Sequence, residues 1–502
     1  MTPPNTKLPD ITLPLLERHL WKSADILRGS IDAADYKHYI FGLLFYKRLC
    51  DVWQEEYDQS LDEFGNKTLA AMPEEHRFHV PPGSHWHEIR QSSVDIGERL
   101  NVAFRAIEDA SPRVKGVFAD VDFANKERFP DALIEALMAH FEELGPLTNA
   151  RVDANMLGDA YEYLIAQFAD DAGKKGGEFY TPKQVVRLMV EILRPEPGMT
   201  IYDPACGAGG MLLVCWKYLV EQGQNPKSLS LYGQEKNLNT WAICKMSLLL
   251  HDIDDARVMR GDTLLDPKLL DDAGRLKQFD MVLANPPFSL KNWGNKVWKE
   301  GDPFGRDVYG VPPKSYGDFA FIQHMVASLK PTGRMAVVVP HGVLFRGGAE
   351  GKIRTKLLQA DLIEAVIGLG NNLFYGTGIP AAIVVINKQK APQRREKVLI
   401  VNGEKHIAED KTQNYLTDDH VARLATAVHD YEDQELLARV VELSEIADND
   451  YNLNLSRYVQ TDPPPPPIDV DAEVKKLREL TAKRDAAEAQ MNAYLEELGY
   501  EA

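Results

Sequence analysis

The run Phe279-Asp280-Met281-Val282-Leu283-Ala284-Asn285-Pro286-Pro287-Phe288 joins an apolar half to a rigid polar end. Phe279 to Leu283 predicts a buried parallel strand, since strands covered on both faces read as nearly continuous apolar stretches. Two consecutive prolines cannot continue a central strand, so the chain leaves the sheet at Pro286 with its backbone fixed. The exit gathers the Asn285 amide, the Pro286 carbonyl and the Phe288 ring at a strand's carboxyl end. That edge is where open α/β sheets bind ligands.

Such a set suits one chemistry. Asn285 Oδ1 and the Pro286 carbonyl can accept both hydrogens of a planar exocyclic amine while Phe288 stacks on the ring that bears it. Held so, the nitrogen lone pair leaves conjugation and is aimed at an electrophile. No separate strong base is needed, because the proton can depart after attack.

Working outward, Thr200-Ile201-Tyr202-Asp203-Pro204-Ala205-Cys206-Gly207-Ala208-Gly209-Gly210 reads as strand, glycine-rich turn and helix. A turn of this kind lets backbone approach a ligand closely. The acid precedes the glycines, which departs from the dinucleotide fingerprint: Asp203 would repel a pyrophosphate but suits an ammonium group. Glu235 closes a second strand, Leu229 to Glu235, and is placed for ribose hydroxyls. Asp262 follows a third strand, Ala256 to Arg260, and could accept from an adenine amine. Upstream, Gly176-Gly177-Glu178-Phe179-Tyr180-Thr181-Pro182-Lys183 opens a helix with Thr181 as N-cap and Pro182 at the first helical position. Its Glu178 to Thr181 segment is expected to lie over a cofactor, with the helix N-terminus toward the cofactor's carboxylate.

At 502 residues the chain is too long for a single core. Its 44% hydrophobic and 26% charged composition is that of an ordinary globular protein. No apolar run approaches a membrane span, and no signal peptide is evident near Met1, so a cytoplasmic protein is expected. Cys50, Cys206, Cys215 and Cys244 lack metal or disulfide spacing, which agrees with a reducing compartment. The net charge of −18 argues against this chain wrapping a nucleic acid unaided.

The organisation expected is an α/β fold: a doubly wound, seven-stranded, Rossmann-like sheet over residues 165–405. A helical domain, 1–164, precedes it. A helical and polar extension, 406–460, follows, then a proline spacer and partner-docking helix, 461–502. The strands are those at Thr200, Leu229, Ala256 and Phe279, then Arg334 to Val339, Leu362 to Leu369 and Ala381 to Ile386. In the helical domain Tyr39, Ile40, Leu43, Leu44, Tyr46 and Leu49 read as bundle core, while Lys37, Lys47 and Arg48 offer a nucleic-acid or partner surface. His76, His79, His85 and His87 match no zinc pattern, and no metal is expected. The long segment Ser289 to Gly317 interleaves Lys291, Trp293, Lys296, Trp298, Lys299, Arg306, Tyr309, Lys314 and Tyr316. It reads as a surface for a distorted nucleic-acid strand or as a simple lid. Val474, Leu477, Leu480, Ala487, Met491, Leu495 and Leu498 form an apolar stripe broken by Arg484, as in a coiled-coil or docking helix.

In this order the motifs resemble those of amino-methyltransferases that use S-adenosylmethionine. With Leu20-Trp21, Ala24 to Gly29 and Leu43 to Leu49, nearly the whole chain looks like the modification subunit of Type I restriction-modification systems. The resemblance is strongest from Gly177 to Phe288. It implies methylation of adenine N6 in double-stranded DNA, two such subunits joined to one specificity subunit, and a restriction subunit as a possible further partner. Carried over by position, it implies Glu178, Phe179, Tyr180, Thr181, Pro182, Lys183, Asp203, Ala205, Cys206, Gly207, Ala208, Gly209 and Glu235 around the cofactor. Asp262 would lie near its adenine, and Asn285, Pro286, Pro287 and Phe288 would form the catalytic motif on the target base. Similar motifs also serve methylation of RNA, of a protein glutamine or of cytosine N4. A non-catalytic subunit that only binds the cofactor is a further reading.

Overall fold

The computed structural model describes residues 11–31, 35–119, 121–152, 156–160, 163–164, 181–374, 378–411, 413–462 and 469–500. Glu178, Phe179, Tyr180 and the run Pro463 to Pro467 lie outside the described residues. Contacts divide the chain into Met1–Val459 and Gln460–Ala502.

The first unit is built on one mixed sheet. Its strands are β1 (Thr200–Asp203), β2 (Ser230–Glu235), β3 (Arg257–Arg260), β4 (Phe279–Ala284), β5 (Leu329–Pro340), β6 (Ile363–Leu369), β7 (Ala381–Asn387), β8 (Lys397–Gly403) and β9 (Ala438–Glu442). Their order across the sheet is β3-β2-β1-β4-β5-β7-β6-β8-β9. The first five strands in chain order run parallel, and β7 lies antiparallel between β5 and β6. The expected seven strands are therefore present, but the sheet has nine. β8 pairs parallel to β6, and β9 pairs antiparallel to β8. The apolar run Val398 to Val401 is buried as a central strand because β9 covers the edge it would otherwise expose. The sheet thus continues past residue 405 into the segment read as a polar extension.

Strand alternation divides the core between the two faces. From β4, Met281 and Leu283 enter one cluster with the helices Lys183–Leu193 and Gly210–Glu221. Phe279, Val282 and Ala284 enter the other, with the helices Asp318–Ala327 and Gly348–Gln359. Full burial of each large apolar side chain is worth roughly 1.5–3 kcal/mol, and β4 supplies such side chains to both faces. The helix Asp418–Asp430 packs on Lys183–Leu193 and buries Val421, Leu424 and Val428. Strand order reverses direction between β1 and β4, the crevice that sheets of this type use for ligands.

The helical front is dominated by Tyr36–Phe64, a helix of 29 residues whose Tyr39, Ile40, Leu43, Leu44, Tyr46 and Leu49 are buried as expected. Lys47 and Arg48 are buried too, which removes them from a nucleic-acid surface. Lys47 Nζ pairs with Asp51 at 3.0 Å, and Arg48 Nη2 donates to Asn149 Oδ1 at 2.6 Å. Satisfied by neighbours in this way, the two cations are tolerated inside the bundle. The front shares its core with Ile243, Met246, Leu249 and Leu250 of the helix Leu238–Leu250.

In the second unit, Val470–Glu497 is a helix of 28 residues capped by Asp469, whose Oδ1 accepts from Ala472 N at 3.0 Å. It buries no side chain, and Val470, Leu477, Leu480, Met491, Tyr494 and Leu498 are exposed along it. No described helix is long and apolar enough to cross a membrane.

Candidate active site

β4 ends at Ala284, and the two prolines turn the chain out of the sheet as their chemistry requires. Asn285 Nδ2 donates to Thr181 Oγ1 at 2.9 Å. Its Oδ1 is buried and has no hydrogen-bond partner among the described residues. A buried acceptor left unpaired costs about 1–3 kcal/mol, so it marks a place where a donor belongs. Phe288 is half-buried and meets Phe374 edge-to-face, with ring centroids 5.7 Å apart, which fixes the ring's attitude.

Thr181 does not act as the expected cap. The helix Lys183–Leu193 has Pro182 as its N-cap, with no side-chain cap bond. Val185 N bonds the Pro182 carbonyl at 2.9 Å. The hydroxyl is thereby left for Asn285, 104 residues away in the chain. Lys183 is exposed at the helix start.

The glycine-rich turn bridges the ends of β1 and β2. Asp203 Oδ1 accepts from Ala205 N at 3.0 Å, and Cys206 N donates to the Gln234 carbonyl at 3.1 Å. Glu235 Oε2 accepts from Gly207 N at 3.0 Å, so the second strand's acid holds the first strand's loop. Gly207 and Gly209 adopt φ values of 52° and 88°, which a side chain would strain. At Gly209 a Cβ would also come within 2.9 Å of Cys244 Sγ. Asp203 is fully enclosed, and burial with the nearby Glu235 charge pushes its carboxyl up to about 8. A carboxyl in that state gains from a cation brought beside it.

Asp262 sits just beyond β3. Its Oδ1 accepts from Leu264 N and Leu265 N at 3.0 and 3.1 Å, and its Oδ2 meets Lys236 Nζ at 2.9 Å. The acid therefore shapes its own turn and presents one oxygen toward an exposed lysine. Thr263 Oγ1 ties this turn to the glycine-rich loop by donating to the Pro204 carbonyl at 2.6 Å.

The segment after Phe288 divides. Lys291, Lys296, Lys299, Lys314 and Tyr316 are exposed, whereas Trp293, Trp298 and Arg306 are buried. The last three cannot meet a nucleic acid; they form a small core with Leu264, Ala320 and Phe321 beneath the Asp262 turn. Sequence reading also missed Asp318, a buried acid that accepts from Ser289 N at 2.8 Å and so holds the chain directly after Phe288. Burial raises its carboxyl from the ordinary range. The Ser289 φ of 51° shows how sharply the chain bends there.

Away from this crevice, His76 is stacked on Trp53 with its Nε2 on the Ala70 carbonyl, a packed side chain. Among the described residues one triad, His19, His140 and Glu143, has ligand atoms close enough to share an ion. Its two imidazoles stack 3.6 Å apart and nearly parallel, each Nε2 bonded to the other residue's carbonyl. Parallel ring planes cannot both aim a lone pair at one ion, so the geometry fits a structural pair.

A sequence profile of the N-6 DNA methylase family matches residues 152–464, and one of the HsdM N-terminal domain matches residues 16–141. The MjaVII Type I restriction enzyme methylase subunit of Methanocaldococcus jannaschii is 32% identical, over 96% of this chain and 84% of that protein. The HindI methylase subunit of Haemophilus influenzae is 31% identical, over 84% of this chain and 100% of its own length. Among solved structures, the type I restriction-modification methyltransferase subunit of Streptococcus thermophilus superposes with a TM-score of 0.80 at 34% identity. That match covers 90% of this chain and 100% of the other.

Proposed function

This chain belongs to the N-6 DNA methylase family, as an adenine-specific methyltransferase subunit of a Type I restriction-modification system, and from that premise we propose how it works. It takes the methyl group from S-adenosylmethionine and delivers it to adenine N6 in double-stranded DNA. The observation that carries this reading is the buried Asn285 Oδ1, without a partner among the described residues, at the end of β4.

The residues present fit the cofactor. Asp203, with its carboxyl raised by burial, suits the ammonium group of the methionine moiety. Glu235 stands at the end of β2 for the ribose hydroxyls, and Asp262 stands beside β3 for the adenine. The turn Ala205 to Gly209, with Thr181, Pro182 and Lys183, is assigned to the cofactor as well. When bound, S-adenosylmethionine supplies an electrophilic methyl group.

The chain's own residues do the rest. The target adenine leaves the duplex at a cost of a few kcal/mol in stacking and pairing. Phe288 stacks on it, and Asn285 Oδ1 with the Pro286 carbonyl accepts the two N6 hydrogens. Thr181 holds the Asn285 amide so that its oxygen faces the base. The nitrogen lone pair, drawn out of conjugation, is oriented toward the cofactor side of the crevice, and orientation of this kind supplies much of the rate. Pro287 keeps the backbone rigid through the turn.

The acidic chain obtains its DNA specificity from a separate specificity subunit, two of these chains joining one such partner, and a restriction subunit can complete the assembly. The exposed stripe of the helix Val470–Glu497 is the docking element for that partner. Calorimetric titration with S-adenosylmethionine, followed by methyl transfer to DNA in the presence of the specificity subunit, tests the reading. Cofactor binding with transfer to adenine supports it; absence of cofactor binding would overturn it.

A further inference from the structure

The segment leaving the catalytic motif returns beneath the turn assigned to the cofactor's adenine, and Arg306 makes the connection. Its side chain is 1% exposed. Nε and Nη2 fork onto Asp302 at 2.9 and 2.6 Å. Two further donors go to the turn itself, Nη1 to the Thr263 carbonyl at 3.1 Å and Nη2 to the Leu264 carbonyl at 2.9 Å. The guanidinium lies over the Trp298 ring at 4.7 Å.

Arginine can only donate, so its Nη1 contact at 3.3 Å makes His324 Nδ1 the acceptor. The neutral ring then carries its proton on Nε2 and gives it to the Tyr202 oxygen, 3.1 Å away. Tyr202 immediately precedes Asp203 on β1. One buried cation therefore ties together the Ser289–Gly317 segment, the Asp262–Leu265 turn and the strand that carries the methionine-side acid. A lysine would hold a point charge there but could not reach two carbonyls and a carboxylate in one plane.

We propose that Arg306 is a positioning residue for the cofactor: it sets the turn that receives the adenine moiety and links that turn to the segment leading away from Asn285-Pro286-Pro287-Phe288. The inference rests on S-adenosylmethionine as the methyl donor. Arg306 touches neither cofactor nor base, so its loss should weaken cofactor binding while saturated turnover and DNA affinity stay near those of the parent.

The test is calorimetric titration of the whole chain with S-adenosylmethionine, for the parent and for Arg306→Lys. A second variant, Arg306→Met with Asp302→Leu, removes both charges together and leaves no lone ion buried. Circular dichroism and thermal midpoints check the fold, and KM for cofactor, KM for DNA and kcat are read with the specificity subunit present. The expected result is a cofactor Kd raised about ten-fold or more in both variants, with kcat and DNA KM little changed. Unchanged cofactor affinity in a folded variant overturns the inference, as does a rise confined to DNA KM. A double variant that cannot fold would make the pair a requirement of the fold rather than of the cofactor turn. A parent that binds no S-adenosylmethionine would instead defeat the functional reading beneath it.

Discussion

Asn285 Nδ2 lies 2.9 Å from Thr181 Oγ1, and the bond fixes the amide while Oδ1 stays buried with no partner among the described residues. One side chain thus uses its donor for architecture and, in the proposed mechanism, keeps its acceptor for the target base. Asn285→Ala removes both, so kcat for methyl transfer should fall by about 10²-fold or more, the usual cost of deleting a charge-stabilising contact in a transition state. Cofactor binding, measured by calorimetry, should survive.

Thr181→Val keeps the shape of the side chain and deletes its hydroxyl. The Asn285 amide is then free to turn over, and single-turnover methyl transfer should slow by about ten-fold, an orientation loss of roughly 1.4 kcal/mol. Thr181→Ser should restore most of the rate. Equal rates in parent and Thr181→Val would show that the bond does not orient the amide.

Asp203 predicts a pH dependence. Its folded-state carboxyl is raised from 3.8 to about 8, so the cofactor-free protein binds a proton there that the unfolded chain has lost. The stability this contributes is full below 3.8 and is lost as pH rises through about 8. Binding of an ammonium group follows the opposite course on the acid side: affinity for S-adenosylmethionine should rise as pH approaches about 8 and the carboxylate forms, and fall above it as the α-ammonium itself deprotonates. Asp203→Asn should flatten the stability profile and the acid side of the affinity profile, read by chemical denaturation and by calorimetry on either side of the transition.

The helix Val470–Glu497 predicts an assembly defect. Leu477→Glu with Leu480→Glu places charge on the exposed apolar stripe and should abolish co-purification with the specificity subunit. Cofactor binding by the isolated chain should be unaffected. An intact complex would show that the partner docks elsewhere.

The legible part of the fold was the part written in short-range chemistry. Pro286 and Pro287 after an apolar run mark the end of β4, and the strands through β7 appear where the apolar periods place them. β9 was missed because Ala438–Glu442 is five residues with no clean alternation, and it becomes a strand only by pairing with β8. Arg306 and Trp298 were misread for another reason: a cation beside aromatics looks the same in sequence whether the cluster faces water or fills a core. Lys47 and Arg48 repeat that lesson in the helical front. Thr181 before Pro182 is an ideal local cap, and only the tertiary partner at Asn285 diverts its hydroxyl.

The most direct measurement is single-base methylation mapping of DNA from cells that carry the specificity subunit with either this chain or its Asn285→Ala variant. The account predicts N6-methyladenine at one split, two-part sequence with the parent, and none there with the variant. Methylation that persists unchanged in the variant, or a methyl group found on cytosine, would contradict it.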